Sequence, residues 1–132
     1  MATIPEEFHD LFEKPTFAHV ATQDPSGCPH VTPVWIDLSD DAERLLVNTE
    51  RGRRKERNVQ RDPHVGVSMT DPENPYRRLG AMGEVVEDRE DGAREHIDVL
   101  SRRYTGEDYA MPIETRRVIL EVAPDAVFGG AP

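Results

Sequence analysis

The feature that most constrains this chain is a block of positive charge between a short apolar segment and a proline. Residues 51–61 contain six arginine or lysine side chains and one glutamate, a local charge of +5, whereas the 132-residue chain carries −10. The apolar residues 45–47 predict a short buried strand, and the polar pair Asn48 and Thr49 predicts a turn. Pro63 ends the helix that follows, because proline cannot continue a helix.

The positions of these charges are unusual for a helix. Arg53, Arg54 and Lys55 fall in the predicted first turn, where the helix dipole disfavours cations by ~0.3–1 kcal/mol each. Free N–H groups at a helix N-terminus, together with cations, suit a bound anion, most simply a phosphate. The alternative is that the arginines are surface groups balancing nearby carboxylates, since solvated ion pairs are common and weak. Charge alone favours this surface alternative.

Length and composition indicate a single domain over residues 1–132. No apolar run approaches the ~20 residues of a membrane span, and the N-terminus lacks the layout of a signal peptide. We therefore expect a cytoplasmic protein without a membrane partner. Cys28 is the single cysteine, which excludes an intrachain disulfide, and the five histidines lack metal-ligand spacing. We expect no metal.

The balance of charged residues indicates a salt-rich environment. Fourteen of the 16 basic residues are arginine, and acidic residues outnumber basic ones by 26 to 16. Carboxylates hold hydration, and salt screens their mutual repulsion, so this composition predicts a halophilic protein. A net charge of −10 also repels a phosphate backbone, so we expect no nucleic-acid partner.

Apolar periodicity predicts a mainly β protein with about three short helices. A capping box from Thr3 to Glu6 begins the first helix, and Asp88 caps the last one, which Gly106 ends. Pro124 closes the final strand. Six strands are predicted, near residues 16–22, 28–38, 45–47, 65–70, 76–87 and 118–122. A tight turn at residues 24–27 favours antiparallel pairing, and a small closed barrel would leave no exposed edge strands.

The second predicted strand is apolar on both faces. Val31 and Trp35 lie on one face, and Val34 and Ile36 lie on the other. In so small a protein, a strand covered on both sides indicates a barrel wall, a ligand or a partner subunit.

The sequence contains no motif for a nucleophile or a paired acid and base, so no catalytic residue is assigned. If the protein is an enzyme, a cofactor supplies the reactivity, and the protein supplies position and charge.

The ordered motifs resemble the pyridoxamine 5'-phosphate oxidase-like split β-barrel family, and within it the flavin/deazaflavin oxidoreductases of the PPOX class, probable F420-dependent enzymes. Four stretches carry the resemblance in family order: GCPHVTPVW at residues 27–35, the basic segment at 49–63, PYR at 75–77 and HIDVLSRRYTG at 96–106. Each motif alone is weak, whereas the ordered set is fairly specific.

The resemblance implies a six-stranded antiparallel split barrel that forms a homodimer, with two cofactor sites between the subunits. It implies that the second strand backs the cofactor ring and that the segment after the third strand holds the phosphate. Arg53 departs from the serine that the FMN oxidases often carry. The implied cofactor-binding residues are Pro33, Val34, Trp35, Asn48, Thr49, Arg53, Arg54, Lys55 and Asn58.

Three functions are open at this point. The first is an F420-dependent reductase that moves a hydride between the deazaflavin ring and a small organic substrate. The same scaffold with FMN is the second, and a non-catalytic carrier of a flavin or haem is the third. Coenzyme F420 has a longer anionic tail than FMN, so the additional arginines 51, 53 and 57 favour F420.

Overall fold

A computed structural model describes residues 2–130 and shows a closed barrel of six antiparallel strands. The strands are ordered β1-β2-β3-β6-β5-β4 around the barrel, and β1 pairs with β4 to close it. A 3₁₀-helix precedes the strands, and two α-helices interrupt them, which confirms the mainly β fold with three short helices. The elements are the 3₁₀-helix Glu6–Phe12, β1 (Phe17–Gln23), β2 (Pro29–Leu38), β3 (Leu45–Glu50), α1 (Arg54–Arg61), β4 (His64–Asp71), β5 (Asn74–Arg89), α2 (Ala93–Thr105) and β6 (Arg117–Gly130).

Alternating apolar residues of the strands fill the barrel. Val65, Val67 and Met69 of β4 are buried, as their period-2 pattern predicts. The N-terminal 3₁₀-helix adds Phe8, Leu11 and Phe12 to the same core. None of the helices in residues 2–130 is long and apolar enough to cross a membrane.

Strands β2 and β3 pair over only three residues each and then separate. Residues 36–38 face residues 45–47, whereas the first part of β2 pairs only with β1 and the end of β3 pairs only with β6. The N–H of Ile36 is directed to the β1 side, where it donates to the Tyr104 hydroxyl at 3.1 Å. N–H directions alternate along a strand, so the backbone nitrogen of Pro33 faces the opposite edge of β2, where β2 and β3 separate. Proline has no N–H, so no donor is left unpaired there.

The segment after residue 47 differs from the sequence prediction. Asn48 and Thr49 are not a turn: they continue β3 and pair with Ile119 and Val118 of β6, and the chain turns only at residues 51–53. The predicted turn is wrong because β6 supplies a partner strand, and this tertiary pairing outweighs the local turn preference of Asn48.

Three predicted element boundaries are also wrong. Pro5, without a side-chain cap, precedes the first helix, so the Thr3 capping box does not form. Asp88 lies in β5, and α2 follows Gly92, whose φ of 76° suits a residue without a side chain. Pro124 does not close β6, because it lies at a bulge opposite Gly83, where an added Cβ would overlap the backbone of Ala123.

A cluster of ion pairs fastens the 3₁₀-helix to the turn between β4 and β5. The guanidinium of Arg77 donates to Asp71 at 2.9 Å and to Asp10 at 2.6 Å, and Lys14 lies 3.2 Å from Asp71. Asp71 is 5% exposed. The N–H of Glu73 and the guanidinium of Arg77 lower the pKa of the Asp71 carboxyl to about 2.

Asp71→Asn should lower the free energy of unfolding at neutral pH by about 3 kcal/mol, because it leaves the cations without their buried partner. The deficit relative to the parent protein should shrink as pH falls from the ordinary value of 3.8 to about 2. A lowered pKa stabilises the folded state only while the carboxylate stays ionised. Urea unfolding followed by circular dichroism measures both effects.

Asp108→Asn is the matched control, because the pair of Asp108 with Arg102 lies at the surface. Its cost should stay below about 1 kcal/mol. Equal costs for the two variants would contradict a structural role for the Asp71 cluster.

Candidate functional site

A cleft of about 200 Å³ lies where β2 and β3 separate. Its residues come from β1, β2, β3, the start of α1, α2, the segment after α2 and the first residue of β6. They are Phe17, Pro33, Val34, Trp35, Asn48, Thr49, Arg53, Lys55, Ile97, Tyr109 and Arg117. One part of this lining is aromatic and apolar, and the other is polar and cationic.

The aromatic part is held by ring contacts. Trp35 stacks on Tyr104, with ring centroids 5.2 Å apart and planes 19° apart, and Tyr109 meets the indole edge-on at 6.3 Å. The Tyr104 hydroxyl donates to the carbonyl of Thr16 and accepts the N–H of Ile36, which fixes its ring against the barrel. Trp35 therefore offers a rigid apolar surface to a planar ring.

Arg117 is a buried cation with no carboxylate in direct contact among residues 2–130. The residue is 7% exposed, and the closest acidic influence is Glu50 on the neighbouring strand. Its Nε donates to the Asn48 side-chain oxygen at 2.9 Å, and its guanidinium lies 5.1 Å from the centroid of the Tyr109 ring. Burial lowers the pKa of Arg117, and the charge of Glu50 partly opposes this shift by raising it. A buried charge without a partner is costly, so this position suits an anionic ligand.

Lys55 adds a second cation to the same cleft. It is half-buried and makes no hydrogen bond or ion pair with any part of the chain that the structure describes. Burial lowers the pKa of its ammonium group, and the charges of Arg53 and Arg117 lower it further. A bound anion would relieve the repulsion among these three cations.

Thr49 supplies a hydroxyl to this cationic part. The residue is 2% exposed, and its Oγ1 is buried without a hydrogen-bond partner. Helix α1 starts after Arg53 with no side chain capping its first turn. An unpaired hydroxyl, two unpaired cations and an uncapped helix start together fit a phosphate group, and the Trp35 surface beside them fits a flat ring.

Seven of the nine predicted binding residues line this cleft, and two do not. Arg54 is directed away from it, 3.8 Å from Asp24, and lines a separate surface cleft with Arg57 and Arg61. Asn58 is buried and donates to the Thr22 hydroxyl at 3.0 Å, which ties α1 to β1. The binding roles assigned to all nine residues stay predictions.

The basic block thus divides into groups with different surroundings. Arg51 is held by carboxylates: its guanidinium contacts Asp88 at 2.7 Å, Glu90 at 2.9 Å and Glu56 at 3.5 Å. Only Arg53 and Lys55 of the block reach the cleft between β2 and β3. The surface alternative drawn from charge therefore describes Arg51 and Arg54, which lie beside carboxylates outside the cleft, but it does not describe Lys55.

Sequence reasoning missed Arg117, Tyr109, Phe17 and Ile97. The pair Arg116 and Arg117 stands directly before the apolar residues 118–120. A cation at the start of a buried strand is a pattern that could have indicated Arg117 as a candidate binding residue. Tyr109 lies in a segment without regular structure, and no pattern indicated its position.

Within residues 2–130, no group of three or more His, Cys, Asp or Glu side chains could hold a metal ion.

The closed six-stranded barrel defines the class of protein, and comparison with known families identifies the same class. The chain belongs to the pyridoxamine 5'-phosphate oxidase family, whose model matches residues 4–129. No curated protein matches the chain at a significant level.

Solved structures share this fold over nearly the whole chain. An F420 reductase is 33% identical, with a TM-score of 0.81 over 95% of this chain and 98% of its own. Two more distant structures show the fold alone. HupZ of Group A Streptococcus is 19% identical, with a TM-score of 0.70 and coverage of 96% and 93%. A pyridoxamine 5'-phosphate oxidase homologue of Lactobacillus delbrueckii is 18% identical, with a TM-score of 0.66 and coverage of 96% and 93%.

Lys55→Ala should weaken binding of inorganic phosphate by about tenfold or more, since a hydrogen bond to a charged group contributes about 1.5–3 kcal/mol. Arg54→Ala is the control, because Arg54 is the neighbouring cation on the other side of the helix. It should change phosphate affinity by less than about twofold, within the range of weak surface charges. NMR titration of both variants measures the affinities. Equal losses would show that the anion does not bind in this cleft.

Proposed function

We propose that the protein is an F420-dependent oxidoreductase that transfers a hydride between coenzyme F420 and a small organic substrate. The observation that carries the proposal is the pairing of the Trp35 surface with a cationic pocket in which the buried Arg117 touches no carboxylate of the described residues. The fold is shared with an F420 reductase at 33% identity, which supports a deazaflavin or flavin cofactor.

The chain's own residues bind and orient the cofactor in this proposal. Pro33, Val34 and Trp35 take the ring, whereas Thr49, Lys55 and Arg117 take the phosphate. The cofactor supplies the hydride chemistry when bound. The residues lining the described cleft include no carboxylate and no histidine, and hydride transfer requires no acid or base from them.

The size of the cleft supports a site shared between two subunits. A volume of about 200 Å³ is below the roughly 300–1,000 Å³ of ordinary ligand pockets. One chain therefore forms only part of the wall around a cofactor, and a second copy of the chain completes it in the proposed homodimer.

An apolar outer face of the barrel is suited to this second copy. The strand registers place Val31, Ala21, Gly66, Met82 and Ala126 in one row across five strands. Val31 and Met82 are exposed by 55% and 54%, and small residues stand between them. The small residues let another backbone approach closely, while the larger ones supply apolar area to bury.

The choice of F420 over FMN rests on charge and space beside the phosphate pocket. A second cleft of about 410 Å³ adjoins the first and shares Arg53 and Tyr109 with it, which leaves room for an extended tail. Arg51 is already paired with three carboxylates, so it adds little to tail binding. Arg53 is the arginine that remains for the tail: it lines this second cleft, 3.5 Å from Glu50, whereas Arg57 lies with Arg54 in the separate cleft on the other side of α1.

FMN is the second candidate cofactor, because the phosphate pocket and ring surface suit either molecule. A non-catalytic carrier of a flavin or haem is the third reading of the same cleft. The halophilic character and the cytoplasmic location stay predictions.

The protein should form a dimer whose mass is twice the 14.9 kDa of the chain. Met82→Arg should shift it to a monomer and weaken cofactor binding, because the charge interrupts the apolar row. Val99→Arg is the control, since Val99 is also exposed but lies on α2. Light scattering with cofactor titration measures both effects. A monomer that binds cofactor with full affinity would contradict the shared site.

F420 should bind more tightly than FMN, and the difference should shrink as salt rises, because the added tail charges are partly exposed and screened. Fluorescence titration of both cofactors over a range of salt concentrations in which the protein stays folded measures this difference. FMN affinity equal to or higher than F420 affinity throughout would favour the FMN enzyme instead.

A further inference from the structure

A continuous chain of polar contacts leads from the outside of α2 to the cationic pocket. Arg103 donates to Asp37 at 3.1 Å, and His96 Nε2 lies 2.9 Å from the other Asp37 oxygen. His96 Nδ1 lies 3.1 Å from the Asn48 side-chain nitrogen, and the Asn48 oxygen accepts from Arg117 at 2.9 Å. This series of polar contacts therefore joins α2, β2, β3 and β6 and ends at the Arg117 guanidinium, which faces the cleft.

The partners of Asn48 fix which group donates and which accepts in each hydrogen bond of this series. Arg117 Nε can only donate, so the Asn48 atom facing it is the oxygen. The carbonyl of Ala93 can only accept, and the Asn48 nitrogen donates to it at 2.9 Å. The amide cannot flip without losing both bonds. His96 Nδ1 consequently faces an N–H group and accepts, so the ring proton lies on Nε2 and is donated to Asp37.

The groups at both ends of this series, Asp37 and Arg117, are in the charge states that these hydrogen-bond directions require. Burial alone would raise the pKa of the Asp37 carboxyl, but the hydrogen bond from His96 and the charge of Arg103 outweigh it and hold that pKa below the ordinary value. Asp37 thus stays an acceptor, and its two oxygens are taken up by His96 and Arg103. At the other end, Asn48 satisfies one N–H of Arg117 without neutralising its charge.

We propose that His96 is a positioning residue for the anion site: through Asn48, it orients Arg117 toward the cleft and keeps it available as an unpaired cation. The binding of an anionic cofactor there rests on the function proposed above. The orientation of Arg117 by His96 does not, and it can be measured without a cofactor.

Two substitutions at His96 separate this role from plain packing. His96→Leu removes the acceptor for Asn48 and the donor for Asp37, whereas His96→Gln retains one group of each kind. Tyr104→Phe is the matched control from the same helix. It removes the hydroxyl that bonds α2 to Ile36 and Thr16 but retains the ring that stacks on Trp35.

The first measurement follows the Nε–H of Arg117 by ¹⁵N NMR in the cofactor-free protein. His96→Leu should raise its exchange rate with solvent by about tenfold, the effect of losing one buried hydrogen bond, whereas His96→Gln and Tyr104→Phe should leave it within about twofold. An unchanged Arg117 signal in His96→Leu overturns the positioning role, whatever the protein binds. Similar changes in His96→Leu and Tyr104→Phe overturn it in favour of a general loss of packing.

The second measurement titrates the same variants with F420. His96→Leu should weaken binding by about tenfold, with partial recovery in His96→Gln, which retains a donor and an acceptor at this position. If the parent protein binds neither F420 nor FMN, the proposed function fails, and the NMR result alone decides the role of His96. If F420 binds equally to all variants, Arg117 does not hold the cofactor, and the inference is overturned.

Discussion

The site depends on one structural constraint, the separation of β2 from β3 after three paired residues. Each strand retains its other neighbour: β2 stays paired with β1, and β3 stays paired with β6. The barrel therefore remains closed while one seam opens between Pro33 on one side and Thr49 on the other. Proline suits this seam because it has no N–H to leave unpaired. The cleft is a consequence of how the barrel pairs its strands.

The distribution of charge then distinguishes the seam from the rest of the surface. The chain carries a net charge of −10, yet of the three cations at the seam only Arg53 is in contact with a carboxylate of the described residues, that of Glu50 at 3.5 Å. Arg51, two residues from Arg53, is paired with Asp88 and Glu90, whereas Lys55 and Arg117 are buried or half-buried without such partners. Unpaired buried cations reduce the stability of an empty protein, and a bound anion restores it. Charge distribution, more than total charge, indicates the ligand.

Sequence reasoning predicted most of the fold, because hydrophobic periodicity and turn residues act locally. It failed where a distant partner decided the outcome: β6 converts the predicted turn at Asn48 into strand, and a bulge opposite Gly83 lets β6 continue past Pro124. The resemblance named Trp35, Thr49 and Lys55, which line the cleft, but it did not name Arg117. Arg117 and Lys55 come close together only in the folded barrel, and their spacing in the sequence does not indicate this proximity.

The central claim is that the phosphate of the cofactor binds between the Thr49 hydroxyl, Lys55 and Arg117. A crystal structure of the protein with bound F420 tests this most directly. We expect the phosphate within hydrogen-bonding distance of these three groups and the deazaflavin ring against Trp35. A phosphate bound instead on the opposite side of α1, among Arg54, Arg57 and Arg61, would contradict it.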